Sequence, residues 1–229
     1  MEWAGVSIVR LSPTVVVKFG PRVTVTEANS MIYVAQNSMK VPVPEVFACC
    51  TYGPIDRDID DYGSLFDTYI FMSFVDGQPL DTTRVASQLK EYIDDIRSMG
   101  DTSYIGSVDH GPVMDPILSI SKVQGPFSSE KEFIETIVEA YQYCAPRQHV
   151  KKFLHGMVGN HAHYILFTHG DLRPQNIMVK DGNVTGILDW ELSGWYPEWQ
   201  NDWGDYLLDI LQPYYPQHAF YSFVSQVLW

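Results

Sequence analysis

Three short polar side chains stand out by type and spacing. Asp171 and Asn176 lie in the run His169-Gly170-Asp171-Leu172-Arg173-Pro174-Gln175-Asn176, and Asp189 follows thirteen residues after Asn176, in Ile187-Leu188-Asp189-Trp190-Glu191. An aspartate followed five residues later by an asparagine fits the catalytic-loop pattern of phosphoryl transfer. That chemistry needs an acceptor for the proton of an attacking hydroxyl, and hard oxygen ligands for a cation that bridges nucleotide phosphates. Asp171 suits the first task, and Asn176 with Asp189 the second. Taken singly, each residue is equally explained by turn chemistry, because Asp and Asn commonly open and close hairpins. The joint spacing, with His169 before the aspartate and Pro174 within the loop, is the specific signal.

These residues need elements that hold them. Asp181-Gly182-Asn183 is a turn that joins NIMVK to VTGIL, so the chain from Asn176 to Asp189 reads as a hairpin with the two polar residues at one end. Near the N-terminus, SIVRL and TVVVKF read as two strands around a Ser-Pro turn, with Lys18 near the end of the second. A lysine in so apolar a strand is explained by an anionic partner, the alternative being an edge-strand lysine that reaches solvent. Residues 26–38 predict a helix opened by Thr26, with Ala28, Met31, Ile32 and Ala35 apolar at helical spacing and Glu27 in the first turn. The proline-rich run VPVPEVFACCTYG favours extended backbone and leads to a strand, followed by an acidic loop over 55–67 and the strand TYIFMSFV.

The turn residues of 74–79 mark the boundary between a small sheet lobe, residues 1–75, and a larger helical lobe, 76–229. Beyond it, Val85, Leu89, Tyr92, Ile93, Ile96 and Met99 form one helical stripe, and Phe133, Ile137, Ala140, Tyr141 and Cys144 another. Residues 100–129 carry seven glycines and prolines and read as a long ordered loop. A helix is expected over Arg147–Val158. Helix is expected again after Pro197, with Tyr206, Leu207, Ile210 and Leu211 apolar, and in a last stretch from His218.

With 45% apolar and 14% aromatic residues the composition is that of a globular protein, not a disordered or fibrous one. Twenty-eight acidic against fifteen basic residues give a net charge of −13, which disfavours nucleic acid and anionic membrane as partners and favours neutral or cationic ones. Cys49, Cys50 and Cys144 have the spacing of neither a zinc site nor a disulfide framework and read as buried free thiols. With no secretory pattern at the N-terminus and no long apolar run, a cytoplasmic location is expected.

HGDLRPQN followed by ILDWE resembles the aminoglycoside phosphotransferase and choline kinase family. GPRVTVTEANSMIYVAQNSMKVPVPEV, TYIFMSFVDGQPLD and DWELSGWYPEW extend the resemblance over nearly the whole chain, toward the large fungal branch of that family. The resemblance implies an α+β, protein-kinase-like fold of two lobes, a small antiparallel-sheet N-lobe and a larger, mainly helical C-lobe. It makes Asp171 the catalytic base, Asn176 and Asp189 the Mg²⁺ ligands, Lys18 the lysine that binds ATP phosphates, and Glu27 its ion-pair partner. Phe74 would lie in a hinge, Met72–Val75, whose backbone holds adenine, and His169 would brace the loop. Trp190, Glu191, Trp195, Glu198 and Trp199 follow Asp189 closely; Glu191, Trp195 and Glu198 are candidates for a pocket that takes a cationic small-molecule acceptor, with plain packing as the alternative.

Two departures accompany the resemblance. Only seventeen residues precede Lys18 and Gly5 is the one glycine among them, so the glycine-rich loop over the phosphates is expected to be shortened or missing. Forty residues follow Asp189, fewer than in larger members, and part of the acceptor site is expected to be absent. The sequence therefore predicts an ATP- and Mg²⁺-dependent phosphotransferase acting on a hydroxyl of a small molecule. The alternatives are a nucleotide-binding pseudokinase or a family member repurposed for other biosynthetic chemistry.

Overall fold

β-branched and aromatic residues cluster in the first seventy-odd positions, and they pair into one sheet. The computed structural model of the chain describes residues 2–3, 5–81, 85–100, 103–144, 156, 163–199 and 224. Strands β1 (Glu2–Trp3), β2 (Val6–Arg10), β3 (Val15–Gly20), β4 (Val46–Tyr52) and β5 (Asp67–Ser73) form an antiparallel sheet in the order β1-β2-β3-β5-β4. β5 alternates half-buried and buried positions, as a strand with one covered face does. β4 is an edge strand, which leaves Cys50 exposed and Cys49 partly covered; both are free thiols, but not the buried ones expected.

Helix α1 (Val25–Asn37) starts two residues earlier than Thr26 would have it, because Thr24 is the cap: its hydroxyl accepts the Glu27 N–H at 3.2 Å. Its buried side is Glu27, Ala28, Ser30, Met31 and Val34, whereas Ile32 and Ala35 face outward. The acidic loop contains a single turn, α2 (Ile59–Tyr62), capped by Asp58 and stopped at Gly63. A three-stranded sheet follows from β6 (Gln78–Pro79), β8 (Ile177–Lys180) and β9 (Asn183–Ile187), in the order β6-β8-β9. Asp181 and Gly182, at φ 52° and 78°, make the two-residue turn between Lys180 and Asn183, a conformation that Asp-Gly adopts readily. Helix α3 (Ala86–Arg97) buries Leu89, Ile93 and Ile96, with Val85 just before it, and leaves Tyr92 half-covered.

The remaining described elements are α4 (Glu130–Cys144), β7 (Ile165–Thr168) and β10 (Gly194–Pro197), the two strands pairing antiparallel. Ile105, Leu118, Phe127, Phe133, Ile137, Tyr196 and Trp199 belong to one buried cluster. Each such side chain contributes about 1.5–3 kcal/mol when fully covered. The glycine- and proline-rich segment is ordered by backbone bridges, Ile105 to Phe127 and Gly106 to Trp195, and by a 3₁₀ turn over Pro116–Ile120.

The chain divides into two compact units. The first joins residues 1–95 to 173–191, and the second joins 96–172 to 192–229. This partition differs from lobes at 1–75 and 76–229, because β8 and β9 pack with the N-terminal part of the chain: the Ile187 N–H donates to the Pro42 carbonyl at 2.8 Å, and the Val184 N–H to Gln88 Oε1 at 3.0 Å. Apart from residues 156 and 224, the helices expected over 147–158, around 206–211 and from 218 lie outside the described residues. Among the described residues no helix is long and apolar enough to cross a membrane.

Candidate functional site

Lys18 lies inside the five-stranded sheet, opposite Ile8 on β2 and Ile70 on β5, and is only 6% exposed. A buried ammonium is costly unless paired. Here its Nζ donates to Glu27 Oε1 at 2.8 Å and to Asp189 Oδ1 at 2.7 Å, and Glu191 Oε2 stands 4.0 Å away. Burial pulls the Lys18 pKa down, but the carboxylates of Glu27 and Asp189 outweigh it and the net shift is upward, so the ammonium stays charged. Glu27, 1% exposed, moves up to about 7: burial is the main cause, Lys18 opposes it, and the charges of Asp189 and Glu191 add to it. Three carboxylates stand within 4.0 Å of one ammonium, and Glu27 is the most deeply buried of them.

The hairpin end that carries Asn176 and Asp189 is tightly tied. Pro174–Asn176 form a 3₁₀ turn closed by the Asn176 N–H on the Arg173 carbonyl at 2.9 Å. The Asn176 carbonyl then accepts the Leu188 N–H at 2.8 Å, one residue before Asp189. Asn176 thus precedes β8 and Asp189 follows β9, at the same end of the hairpin, as expected. Asp189 adopts φ 66°, a left-handed conformation uncommon for a residue other than glycine. Trp190, fully buried, anchors the next step of the chain through its Nε1–H on the Ile187 carbonyl at 2.8 Å.

Glu27, Asp189 and Glu191 each bring a carboxylate oxygen to within 4.8 Å of the other two. Glu27 Oε2 is buried without a hydrogen-bond partner. An orphaned buried carboxylate oxygen beside further hard oxygen donors fits Mg²⁺, which prefers a few carboxylate or amide oxygens and keeps other positions for water and phosphate. Glu191, expected among the acceptor residues, stands beside Lys18 in the first unit. The Asp-x-Glu spacing of 189 and 191 was the available signal, and the folding of that short segment back onto β3 was not readable from it.

Asp171 belongs to the second unit, in the loop that follows β7. Its N–H donates to His169 Nδ1 at 3.2 Å, so a neutral His169 carries its proton on Nε2. His169 is buried at 2% exposure and braces the loop from inside. Gly170 between them has φ +84°, and a β-carbon there would come 2.3 Å from the Leu192 carbonyl oxygen. Only glycine fits that turn.

Phe74 continues from β5, and its N–H donates to the Thr14 carbonyl at 2.8 Å, while the Arg10 guanidinium lies over its ring at 3.7 Å. The neighbouring Ser73 N–H donates to the Glu45 carbonyl. Two amides of the segment expected to form the hinge are therefore engaged within the protein. Trp195, 5% exposed on β10, packs edge-on against Phe167 at 5.4 Å and against Tyr104. Glu198 is half-buried; its N–H donates to the Tyr164 carbonyl at 2.8 Å and its own carbonyl accepts from Arg97. Trp199 donates its Nε1–H to Glu130 Oε1 at 2.6 Å, and His163 Nδ1 meets the same oxygen at 2.7 Å.

Residues 122–201 match the sequence profile of the phosphotransferase enzyme family. No curated protein sequence matches the chain. Among solved structures, the ADP-bound aminoglycoside phosphotransferase APH(2'')-Ib aligns with a TM-score of 0.63 at 10% identity, over 100% of this chain and 84% of that one. A GDP complex of wild-type aminoglycoside 2'-phosphotransferase-IIIa aligns at 0.55 and 15% identity, over 100% and 75%. A thermostable mutant of aminoglycoside phosphotransferase APH(4)-Ia, in a ternary complex with AMP-PNP and hygromycin B, aligns at 0.53 and 15% identity, over 83% and 67%. The fold is the α+β, kinase-like fold of these proteins. The profile match spans 80 of the chain's 229 residues, and the three structural alignments, at 10–15% identity, extend a likeness of fold beyond them.

Proposed function

We propose that this chain is an ATP- and Mg²⁺-dependent phosphotransferase acting on a hydroxyl of a small molecule. The observation that carries the reading is Lys18, buried and paired with both Glu27 and Asp189 at 2.8 and 2.7 Å, which ties the sheet, α1 and the hairpin exit to one charge. Residues 1–75 would serve as the nucleotide lobe and 76–229 as the catalytic and substrate lobe. The similar structures carry ADP, GDP, or AMP-PNP with hygromycin B, which supports a nucleotide and a small-molecule acceptor.

In this reading Asn176 and Asp189 hold the magnesium ion, which when bound neutralises charge on the triphosphate. Lys18, oriented by Glu27, offers its ammonium to phosphate oxygens. Asp171 accepts the proton of the acceptor hydroxyl, in a loop braced by His169. Phe74 contributes to the adenine hinge through its side chain and neighbouring backbone, its own N–H being already engaged. The net charge of −13 favours a cationic acceptor, for which Glu191 and Glu198 are the carboxylate candidates. Trp195 could take part only through its remaining exposed edge.

The test is a phosphoryl-transfer assay over a panel of aminoalcohols, aminoglycosides and other hydroxylated metabolites, with ATP and GTP, and with Asp171→Asn as the control. Transfer by the parent and its loss in the variant support the reading; equal rates in both end it. One observation favours a second reading, a nucleotide-binding pseudokinase. β1 and β2 are joined across residues 4–5 with Trp3 opposite Val6, so few backbone amides remain to cradle phosphates. Thermal stabilisation by MgATP without transfer to any acceptor would select it.

A further inference from the structure

We propose that the outer edge of β4 pairs with β4 of a second copy of this chain, the two strands running antiparallel about a two-fold axis, so that two five-stranded sheets join into one. The inference goes beyond the phosphotransferase reading and does not depend on it, because β5 stands between β4 and the strand that carries Lys18. An uncovered strand edge is a template for another strand, and folded proteins blunt such edges by shortness, charge, proline or a bulge. The sheet's other edge is blunted, since β1 is two residues long and begins with Glu2. β4 runs for seven residues, Val46–Tyr52, without a charge or a proline; only Val46 and Cys49 are half-covered, and the other five are exposed. A register shift between Val46 and Ala48 is its one irregularity, and it leaves Ala48–Tyr52 in regular pairing with β5.

The main chain of this segment is turned toward a further strand. The Phe74 N–H donates to Thr14, just before β3, whereas the Ser73 N–H donates to Glu45, just before β4. Main-chain groups alternate in direction along a strand, so Phe71 and Tyr69 share the direction of Ser73 and face Ala48 and Cys50. The N–H and C=O groups of Cys49 and Thr51 therefore point away from β5. A two-fold axis at Cys50, the centre of the regular segment, sets Cys49 against the partner's Thr51, each bonding the other through those groups. It also sets the small Ala48 against the partner's Tyr52, and Cys50 against the partner's Cys50.

Charge selects a second copy as the occupant. At a net charge of −13 two copies repel wherever acidic surfaces meet, and a two-fold contact sets each patch against itself, so a self-pairing surface has to be uncharged or self-complementary. Nineteen per cent of the chain is charged, yet β4 has no charged residue, and α1, which packs on β4, has only the buried Glu27. The antiparallel sense also carries the acidic loops that follow β4, with Asp56, Asp58, Asp60 and Asp61, to opposite ends of the contact. A specific interface buries about 1,200–2,000 Å², more than five paired residues supply. In a sheet continued across the axis both copies of α1 fall on one side, and the exposed Val25 and Ile32 extend the contact there.

The experiment is sedimentation velocity of the full chain, without nucleotide and in reducing buffer, over micromolar concentrations. A dimer in equilibrium with monomer is expected and nothing larger, because each copy uses its one β4 edge on one partner. Thr51→Pro removes an outward N–H and leaves the ladder to β5 intact, and Thr51→Lys brings charge to the edge; each should leave the chain monomeric where the parent is dimeric. Val9→Lys, at an exposed position on β2, should leave the dimer unchanged. Should Thr51→Pro fail to fold, Thr51→Lys, which keeps the N–H, decides alone. In a Cys144→Ser background, diamide, which takes one hydrogen from each of two thiols, should link the copies through Cys50: the linked dimer should form in Cys49→Ser and vanish in Cys50→Ser. A chain monomeric at every concentration leaves the edge to a different partner and overturns the proposal. A dimer untouched by both Thr51 variants, assembly beyond the dimer, or a link that survives in Cys50→Ser overturns it as well.

Discussion

The ammonium of Lys18 and the carboxylate of Asp189 meet at 2.7 Å although 171 positions separate them in the chain. Neither residue lies in a segment that could bring it to the other by local folding. Their contact requires the hairpin of β8 and β9 to join the N-terminal sheet in one unit, and it is the reason a lysine sits in so apolar a strand.

Asp189→Ala removes one of the two close partners of a buried ammonium and the carboxylate proposed to hold magnesium. It should abolish magnesium-dependent nucleotide binding, seen in calorimetry with and without the metal. It should also destabilise the fold by about 1–3 kcal/mol, because Lys18 keeps Glu27 but loses its other close partner. A urea titration of the metal-free protein measures the second effect.

Glu27 gives the molecule a pH dependence whose sign is fixed by burial. Its folded-state pKa of about 7 lies above the ordinary glutamate value, so the folded chain holds a proton that the unfolded chain has already released. Stability from this group is fully present at low pH, falls as pH rises toward about 7, and is flat above it. The loss is on the order of 3 kcal/mol. Urea midpoints measured at intervals from pH 4.5 to 8 in a chelator should slope downward in the parent, and the slope should shrink in Glu27→Gln.

Gly170→Ala should cost about 2–4 kcal/mol, because the left-handed backbone is strained for alanine and the added methyl collides with the Leu192 carbonyl. Since the turn also sets the Asp171 N–H on His169, the variant should lose transfer activity even under conditions where it remains folded. Circular dichroism and the acceptor assay, run on the same sample, check both parts.

Glu130→Ala should destabilise by about 2–4 kcal/mol, since it leaves the buried Trp199 Nε1–H and His163 without their shared oxygen. Glu130→Gln, which retains an acceptor, should recover part of that loss. Chemical denaturation followed by tryptophan fluorescence distinguishes the two.

Much of the site's vocabulary was legible in the chain. The Asp171–Asn176–Asp189 spacing and the Asp-Gly turn are local patterns, and the hairpin they imply is present with its two polar residues at one end. β3 with Lys18, and α1 with Glu27 in its first turn, were also readable, because β-branched runs and helical periodicity act over a few residues. The helix cap was misplaced: Thr24 and Thr26 are both competent, and only backbone geometry selects the first. Ile32 shares the apolar helical spacing yet is exposed, because spacing alone does not say how wide the covered stripe is. The place of Glu191 beside Lys18 depends on a contact far apart in the chain, which no periodicity encodes. The packing of Trp195 and Trp199 against Phe167, Phe133 and Tyr104 likewise arises from distant segments, so an aromatic cluster in sequence could be read equally as a pocket or as core.

The first compact unit is assembled from two stretches, 1–95 and 173–191, with the greater part of the second unit encoded between them. During synthesis the N-terminal sheet therefore emerges from the ribosome long before the hairpin that completes its unit. For the time needed to translate nearly eighty residues, on the order of 4–15 s at ordinary elongation rates, Lys18 has Glu27 but not Asp189 to answer its charge. The nascent unit must wait in an unfinished state, and the last step of its maturation is the capture of a hairpin made late.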